Sequence, residues 1–556
     1  MKNIFLSLFF LTSIFAEENE MNTINVIPTP QKAVIQKGVF KVSAATKIFL
    51  GESTEEGKFT AAQINDALKE FGSTKLSLGK AEEKKMPKKN YIFIGTPFSE
   101  IGGRLLKEHG GTLTNEMKDE GYFLKITPTC ILIIAESEKG LFYGAMTLVQ
   151  LLQKEKNNIS VNAVTVHDYP LQKVRGITDD ISRGQVSTLK DFKRIICTIA
   201  RYKLNVYSPY IEDMFVFKSH PLVGKGRGAL TAEEVKELDA YAKQCYVELI
   251  PIFETLGHWE NILSLPEYVQ YGEFPGAHTL NISDERVYSI LDEMIGELSA
   301  VFTSPYFNMA ADESWDVGLG ANKERVAKSD LATVHSEHYK RTVDILRKYG
   351  KKPLMYGDII LNNPTILDKI PKDIIIVDWH YGASFSYRSP AIFKQAGFHF
   401  IVSPAVYNFV GPFPAYVNTF VNIQRLNLNG YRNGSLGLLT SNWNDHGGED
   451  LRVHNYYGYA WTAECAWQPE RADVAQFNKA FFKDFFGTSD EKMQTIFTIL
   501  SEPLNQYNWF EVWRHPILPP AMSDENGRIP IILKVQSIQS SIPFVLNLIK
   551  SARKNV

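Results

Sequence analysis

From Val174 onward the apolar residues fall into a repeating rhythm. Short apolar runs of roughly four to eight residues alternate with longer stretches in which apolar positions return every three or four. The runs Val174–Ile181, Leu204–Ile211, Val247–Phe253, Tyr306–Ala311, Lys352–Tyr356, Ile374–Trp379, Phe398–Ser403 and Leu436–Ser441 predict eight buried strands. Between them the helical period predicts helices over Leu189–Arg201, capped by Thr188, over Ala232–Cys245, capped by Thr231, and over Glu285–Val301. The longest helical stretch runs from about Lys323 to Tyr349. Strands alternating with helices argue parallel pairing, and eight such units predict a (β/α)8 barrel. An open doubly wound sheet is the alternative, but no GxGxxG opens the first strand–helix unit.

Upstream, from about Asn22 to Leu152, the pattern is mixed. Val34–Val42 reads as paired short strands, Phe59–Phe71 as a helix and Tyr91–Ile94 as a strand. Gly121–Ala135 reads as a hairpin, Gly140–Leu152 as an amphipathic helix, and a strand over Val161–Tyr169 leads to a turn at Pro170. Beyond about Asp484 the chain is helix-prone but interrupted by Pro503, Pro516, Pro519, Pro520 and Pro530. At the start, Lys2 precedes an apolar stretch from Ile4 to Phe15, and Ala16 is a plausible cleavage point. That layout predicts a secretory signal, because the run is shorter than the roughly 20 apolar residues of a membrane span. The predicted organisation is a signal over residues 1–16, an α+β domain over 17–169, the barrel over 170–483 and a helical region over 484–556. Export to a periplasm or the extracellular space follows from the signal.

Composition excludes several function classes. The formal net charge is −2, so no global field draws the chain to nucleic acid or an anionic membrane. Eight Trp, 25 Tyr and 34 Phe mildly favour a sugar-binding cleft, whose walls use aromatic faces. The four cysteines, Cys130, Cys197, Cys245 and Cys465, lack CxxC spacing and imply neither zinc nor a redox centre. An exported chain could pair two of them, and spacing does not say which.

Barrels of this kind gather reactive groups at the C-terminal strand ends. By that rule the candidates are Arg175 and Asp179 on the first strand, Glu212 and Asp213 after the second, and Glu254 and His258 after the third. Asp312 and Glu313 follow the fourth, Tyr356 and Asp358 end the fifth, and Asp378, Trp379 and His380 end the sixth. Tyr407 follows the seventh, and Trp443 and Asp445 the eighth. Carboxylates and aromatics at nearly every exit describe a polar cleft with stacking walls, suited to a neutral, hydroxyl-rich ligand. Asp312-Glu313 is the most informative pair. Neighbouring residues at a strand end point in different directions, so one carboxyl can stay ionised while the other is kept protonated.

Taken in order, Val174-Arg175-Gly176, Asp179-Asp180-Ile181-Ser182-Arg183-Gly184, Gly257-His258, Asp312-Glu313, and Trp443 with Asp445 resemble glycoside hydrolase family 20, the β-N-acetylhexosaminidases. Ile27-Pro28-Thr29-Pro30 and the segment from Gly140 to Gln150 resemble that family's non-catalytic α+β domain, so the likeness spans about residues 24 to 467. The resemblance implies an exo-acting retaining hydrolase of terminal β-linked N-acetylglucosamine or N-acetylgalactosamine, with no cofactor and no metal. It also implies substrate-assisted catalysis, in which the sugar's 2-acetamido oxygen replaces a protein nucleophile. Glu313 matches the general acid and Asp312 the carboxylate that accepts the acetamido N–H. Arg175 resembles an arginine binding sugar hydroxyls, and Asp213 with His258 a dyad supporting the acid. Glu254, where relatives have Asp, implies ligand contact or support from behind. Trp379 and Trp443 resemble walls of the acetamido pocket, Tyr407 the tyrosine donating to the acetamide carbonyl, and Asp445 the acid gripping outer hydroxyls.

The chain also departs from the family pattern. Ala310 and Ala311 stand where many relatives carry glycines, Tyr407-Asn408-Phe409 replaces Tyr-x-Asp, and Tyr356 stands where a tryptophan is common. Within enzymes the alternative is a retaining glycosidase with Glu254 or Asp213 as nucleophile; outside them, a catalytically silent glycan-binding barrel. The glycine-rich loop Gly224–Gly228 reads as a mobile barrel loop, and His335 with His338 as part of a solvated helix face.

Overall fold

The computed structural model describes residues 24–501, save 74, 157, 410, 446–449 and 489, and residues 531–552. The signal expected over residues 1–16 therefore lies outside the described residues, as do the prolines from Pro503 to Pro530. Two units are distinguished. The first runs to Pro170 and includes Asp473–Gly487; the second comprises Leu171–Ala472 with the residues from Thr488 onward.

The first unit is built on a mixed sheet of β1 (Lys32–Val42), β2 (Lys47–Leu50), β3 (Ser77–Lys80), β4 (Tyr91–Gly95), β5 (Tyr122–Ile126), β6 (Cys130–Ile134), β7 (Gln153–Glu155) and β8 (Asn158–Asp168). Their order is β1-β8-β5-β6-β4-β2-β3, with β7 paired to β8. The segment expected as paired short strands is one strand, β1, whose register against β8 slips between Ile35 and Val39 around Gly38, at φ 116°.

The second unit is the barrel. Its strands are β9 (Val174–Asp180), β10 (Val206–Tyr210), β11 (Glu248–Leu249), β12 (Tyr306–Asn308), β13 (Lys352–Tyr356), β14 (Ile375–Trp379), β15 (Phe400–Ser403) and β16 (Gly437–Asn442). All pair in parallel, in the order β11-β10-β9-β16-β15-β14-β13-β12. A parallel bridge between Ile252 and Asn308 joins the two ends and closes the ring. β11 is short because Pro251 has no N–H to give the ladder. The interior is filled by Val206, Ile250, Ile252, Leu354, Val377, Ile401 and Leu439, all buried. Tyr210, Tyr356 and Trp443 join the same cluster at the C-terminal strand ends.

The outer helices begin where the sequence places caps. Thr188 accepts the Asp191 N–H, and Thr231 forms a reciprocal capping box with Glu234. The long helix expected from Lys323 to Tyr349 is two, Lys323–Lys328 and Leu331–Lys348. Asp330 breaks it, because its carboxylate accepts the Thr333 N–H at 2.6 Å and starts a new helix. On that second helix His335 and His338 are buried, not solvated: His335 Nδ1 bonds the Leu331 carbonyl at 2.9 Å, and Tyr288 Oη lies 3.2 Å from His338 Nδ1. Further along, the helices Glu491–Ser501 and Ile531–Ala552 supply the expected helical C-terminal region. Phe497 packs its ring against Phe413 and Tyr457. No described helix is long and apolar enough to cross a membrane.

Candidate active site

The site begins where β12 stops. Instead of continuing to Ala311, the strand ends at Asn308 because the following backbone turns left-handed, with φ 51° at Ala310, 62° at Ala311 and 46° at Glu313. For residues with a Cβ that conformation costs roughly 1–2 kcal/mol each, so it persists only where neighbours hold it. Asn308 Oδ1 accepts the Ala310 N–H at 3.0 Å, and the Ala310 carbonyl accepts the Tyr356 N–H at 3.0 Å. Asp358 Oδ2 accepts the Glu313 N–H at 2.9 Å. The loop after β11 presses on the same stretch: a Cβ at Gly257 would stand 2.3 Å from the Asp312 carbonyl oxygen. The turn sends the two carboxyls apart. Asp312 is 7% exposed, whereas the Glu313 side chain is 41% exposed.

Both line one cavity of about 650 Å³, a size that suits a single sugar ring with its substituents. Trp379, Tyr381, Phe409 and Trp443 form its apolar wall. Trp379 and Tyr381 stack with centroids 5.0 Å apart, and Trp443 stands edge-on to Tyr210 at 4.9 Å. The polar side is organised by Arg183, three residues past the end of β9. Its guanidinium lies 3.2 Å from Glu212 and 3.2 Å from Asp445, and its carbon sits over the rings of Tyr210 and Trp443 at 5.1 and 5.2 Å.

His258, itself left-handed at φ 52°, places Nε2 3.3 Å from Glu313 Oε2 and Nδ1 3.8 Å from Glu260 Oε1. Burial disfavours its charge, but Glu260, Glu313, Asp312 and Glu254 outweigh burial and push it up to about 12. The imidazolium in turn holds Glu313 below the usual carboxylate range, against the effect of burial. Beneath them Glu254 is buried beside Asp312, and burial followed by the Asp312 charge drives its carboxyl well above the ordinary range. Burial raises Asp312 too, with His258 and Glu254 opposing. Glu254 is the deeper of the two, and Asp312 is the one that lines the cavity, where its carboxyl can accept a hydrogen bond from a ligand N–H. Burial, opposed by Arg183, lifts Glu212 to about 7.

Two triads bring ligand atoms within 4.8 Å of one another: Glu212, His258 and Glu260, and Glu254, His258 and Asp312. In the first, Arg183 already stands 3.2 Å from Glu212 and 3.4 Å from His258 Nδ1, so a guanidinium cation fills that place.

Of the residues expected from sequence, Asp312, Glu313, His258, Trp379, Trp443 and Asp445 line the cavity. Glu254 sits behind Asp312 as support. Three others are elsewhere. Arg175, the second residue of β9, belongs to the N-terminal barrel end, where it donates to the carbonyls of Lys203 and Gln172 and packs on Trp467. Asp213 is held by Arg227 through two 2.6 Å contacts, and it is Arg227, from the glycine-rich loop, that reaches the cavity. Glu212 and Glu260 flank His258 in its place. Tyr407 stands behind Phe409, centroids 4.6 Å apart, and the phenol on the cavity wall is that of Tyr381.

Arg183, Glu260 and Tyr381 are thus the functional positions that the sequence reading did not assign, and Glu212, a strand-exit candidate, takes the place expected for Asp213. The arginine at the C-terminal end of β9 is Arg183, three residues past the strand, whereas the expected Arg175 is the strand's second residue. Glu212 was separable from Asp213 only by the turn that follows β10, where Glu212 takes φ 42°.

Comparison with known proteins agrees with this geometry. The model for "Glycosyl hydrolase family 20, domain 2" matches residues 23–169, and that for "Glycosyl hydrolase family 20, catalytic domain" matches residues 173–416. A beta-hexosaminidase of Porphyromonas gingivalis is 26% identical over 378 residues, covering 61% of this chain and 46% of its own length. One from Vibrio furnissii is 26% identical over 335 residues, covering 53% of this chain and 54% of its own. This chain therefore spans about half the length of the curated relatives it matches. The chitobiase of Flavobacterium johnsoniae shares the fold at 20% identity and a TM-score of 0.68, over 88% of this chain and 77% of the other. Two domain models in tandem, and an Asp-Glu pair opening into a walled cavity at the C-terminal barrel end, place this chain in glycosyl hydrolase family 20.

Proposed function

We propose that the protein removes terminal β-linked N-acetylhexosamine from glycans, with retention, by substrate-assisted catalysis. The carrying observation is the split environment of Asp312 and Glu313 within one aromatic-walled cavity. In this reading the sugar ring sits against Trp443, and its acetamide against Trp379 and Tyr381. Asp312 accepts the acetamide N–H, and the acetamide oxygen attacks the anomeric carbon while Glu313 protonates the departing glycosidic oxygen. The resulting oxazolinium is opened by water, whose proton returns to Glu313. An internal nucleophile held in line gains an effective molarity of order 10⁵ M or more, so the protein need supply only orientation and a proton. The two carboxylates that could have served as protein nucleophiles favour this reading by their positions. Glu254 is 1% exposed and Asp213 is locked to Arg227, and neither lines the cavity.

The names of the relatives, beta-hexosaminidases and a chitobiase, support the substrate class. The partner is accordingly a glycan or oligosaccharide, and no cofactor takes part in the scheme. The apolar stretch before Ala16 supports export to a periplasm or the extracellular space. Nitrophenyl 2-acetamido-2-deoxy-β-glycosides are the test. Release should be fast with the acetamide, slow with a trifluoroacetamide and undetectable with the free 2-amine. Equal turnover of all three, or a sugar trapped covalently on a side chain, would refute the reading.

A further inference from the structure

Asp358 lies outside the cavity lining, yet it makes the only described side-chain hydrogen bond to the backbone N–H of Glu313. It opens the short helix Asp358–Asn362 directly after β13, so its place is set by the barrel and not by a free loop. Gly357 before it is tightly enclosed, since a Cβ there would meet Phe393 at 2.9 Å and Ile376 at 3.0 Å. Asp358 Oδ1 is buried without a partner in the protein, and Oδ2 carries the 2.9 Å bond. Burial, with the neighbouring Asp312 charge, pushes its carboxyl up to about 7.

Glu313 needs such an anchor. It is left-handed, follows the left-handed pair Ala310-Ala311 with only Asp312 between, and carries the more exposed carboxyl of the Asp312-Glu313 pair. A chain with glycines before Asp-Glu relaxes into this turn without strain, whereas Ala310 and Ala311 pull it back toward extended backbone. Asn308 fixes the start of the strained stretch and Asp358 fixes its end.

We infer that Asp358 is a positioning residue for the acid: its carboxyl oxygen holds the Glu313 backbone in the left-handed turn that aims the Glu313 carboxyl at the glycosidic oxygen. The inference rests on Glu313 being the proton donor proposed above. The bond requires an acceptor, not a charge, so an amide oxygen in the same place suffices.

The experiment uses the full chain with D358A and D358N, each assayed on N-acetyl-β-glucosaminides with dinitrophenyl, nitrophenyl and alkyl aglycones. A misaimed acid matters most where the leaving group needs a proton. D358A should lose about 30-fold or more in kcat with alkyl aglycones, under about fivefold with dinitrophenyl, and change KM little. D358N should stay within about threefold of the parent throughout, because its amide oxygen still accepts the Glu313 N–H. Should D358A not purify folded, D358S, whose hydroxyl lies too far back to accept the bond, replaces it. A loss independent of the leaving group, or D358N as damaged as D358A, overturns the inference. A crystal structure of the variant decides independently of turnover: Glu313 displaced from positive φ supports positioning, and Glu313 unmoved ends it. A parent protein inert toward every aglycone would instead refute the proposed function.

Discussion

Gly257→Ala is the sharpest perturbation the fold offers. At Gly257 the loop carrying His258 touches the backbone of Asp312, and an added Cβ would stand 2.3 Å from the Asp312 carbonyl oxygen. Carbon and carbonyl oxygen settle at about 3.3 Å, so the methyl must open a gap of about 1 Å. Neither side is a side-chain tip that can swing away. Gly257 has no positive φ, so the folded-state effect is steric, and it must outweigh the roughly 0.4–1 kcal/mol gained by restricting the unfolded chain. Overpacking of this kind costs about 1–3 kcal/mol, which lowers Tm by several degrees. The larger consequence is catalytic. Moving Asp312 by about 1 Å relative to the acetamide it must orient is worth about 100-fold in kcat. Calorimetry and steady-state kinetics on an aryl N-acetyl-β-glucosaminide measure both. Activity within threefold of the parent at unchanged Tm would show that this contact does not set the position of Asp312.

Three further outcomes are expected. Arg183→Met should lower kcat/KM by about 1,000-fold, because it strands the buried Glu212 without its cation, whereas Arg175→Met should lower Tm and leave kcat of the folded protein near the parent's; the reverse would return Arg175 to the site. Ala311→Gly removes a buried methyl worth about 0.8 kcal/mol and adds unfolded-chain entropy, but releases the roughly 1–2 kcal/mol of left-handed strain, so denaturant midpoints should match within about 0.5 kcal/mol. A loss of 2 kcal/mol or more would show that no strain is stored there. His258→Asn removes a cation that lowers both Glu313 and Asp312, so both carboxyls rise and both limbs of the pH profile of kcat/KM move to higher pH; a fixed profile would separate His258 from the protonation of the pair.

The barrel was legible because burial on both faces of a parallel strand leaves an unbroken apolar run, and all eight runs became strands. What failed to show in the pattern were effects carried by single polar groups. Asp330 cuts a helix whose apolar period continues through it. His335 and His338 look like surface residues by type, but Ser314, Leu331 and Tyr288 satisfy their nitrogens inside the barrel wall. Tyr407 follows its strand as expected, and a ring-on-ring contact with Phe409 sets it back from the cavity. Sequence order names the strand that delivers a residue. It does not say on which side of a turn the side chain emerges, and Glu212 against Asp213 is that ambiguity in its simplest form.

The same left-handed turns that hide side-chain direction also arrange the protons. Glu212, His258 and Glu313 all take positive φ, and all three belong to the charged side of the cavity. His258 lies against both carboxyls, lowering Glu313 and opposing the burial that raises Asp312, while burial beside Asp312 drives Glu254 up. In the free protein Glu313 is therefore ionised near neutrality, opposite to the state an acid needs. In the proposed scheme the protonated form is favoured when the sugar enters: the acetamide N–H hydrogen-bonds Asp312, and exclusion of water penalises a second bare carboxylate beside it. Proton loading coupled to binding makes the free-protein profile of kcat/KM lie at lower pH than that of kcat, because the acid binds its proton more tightly with ligand in place.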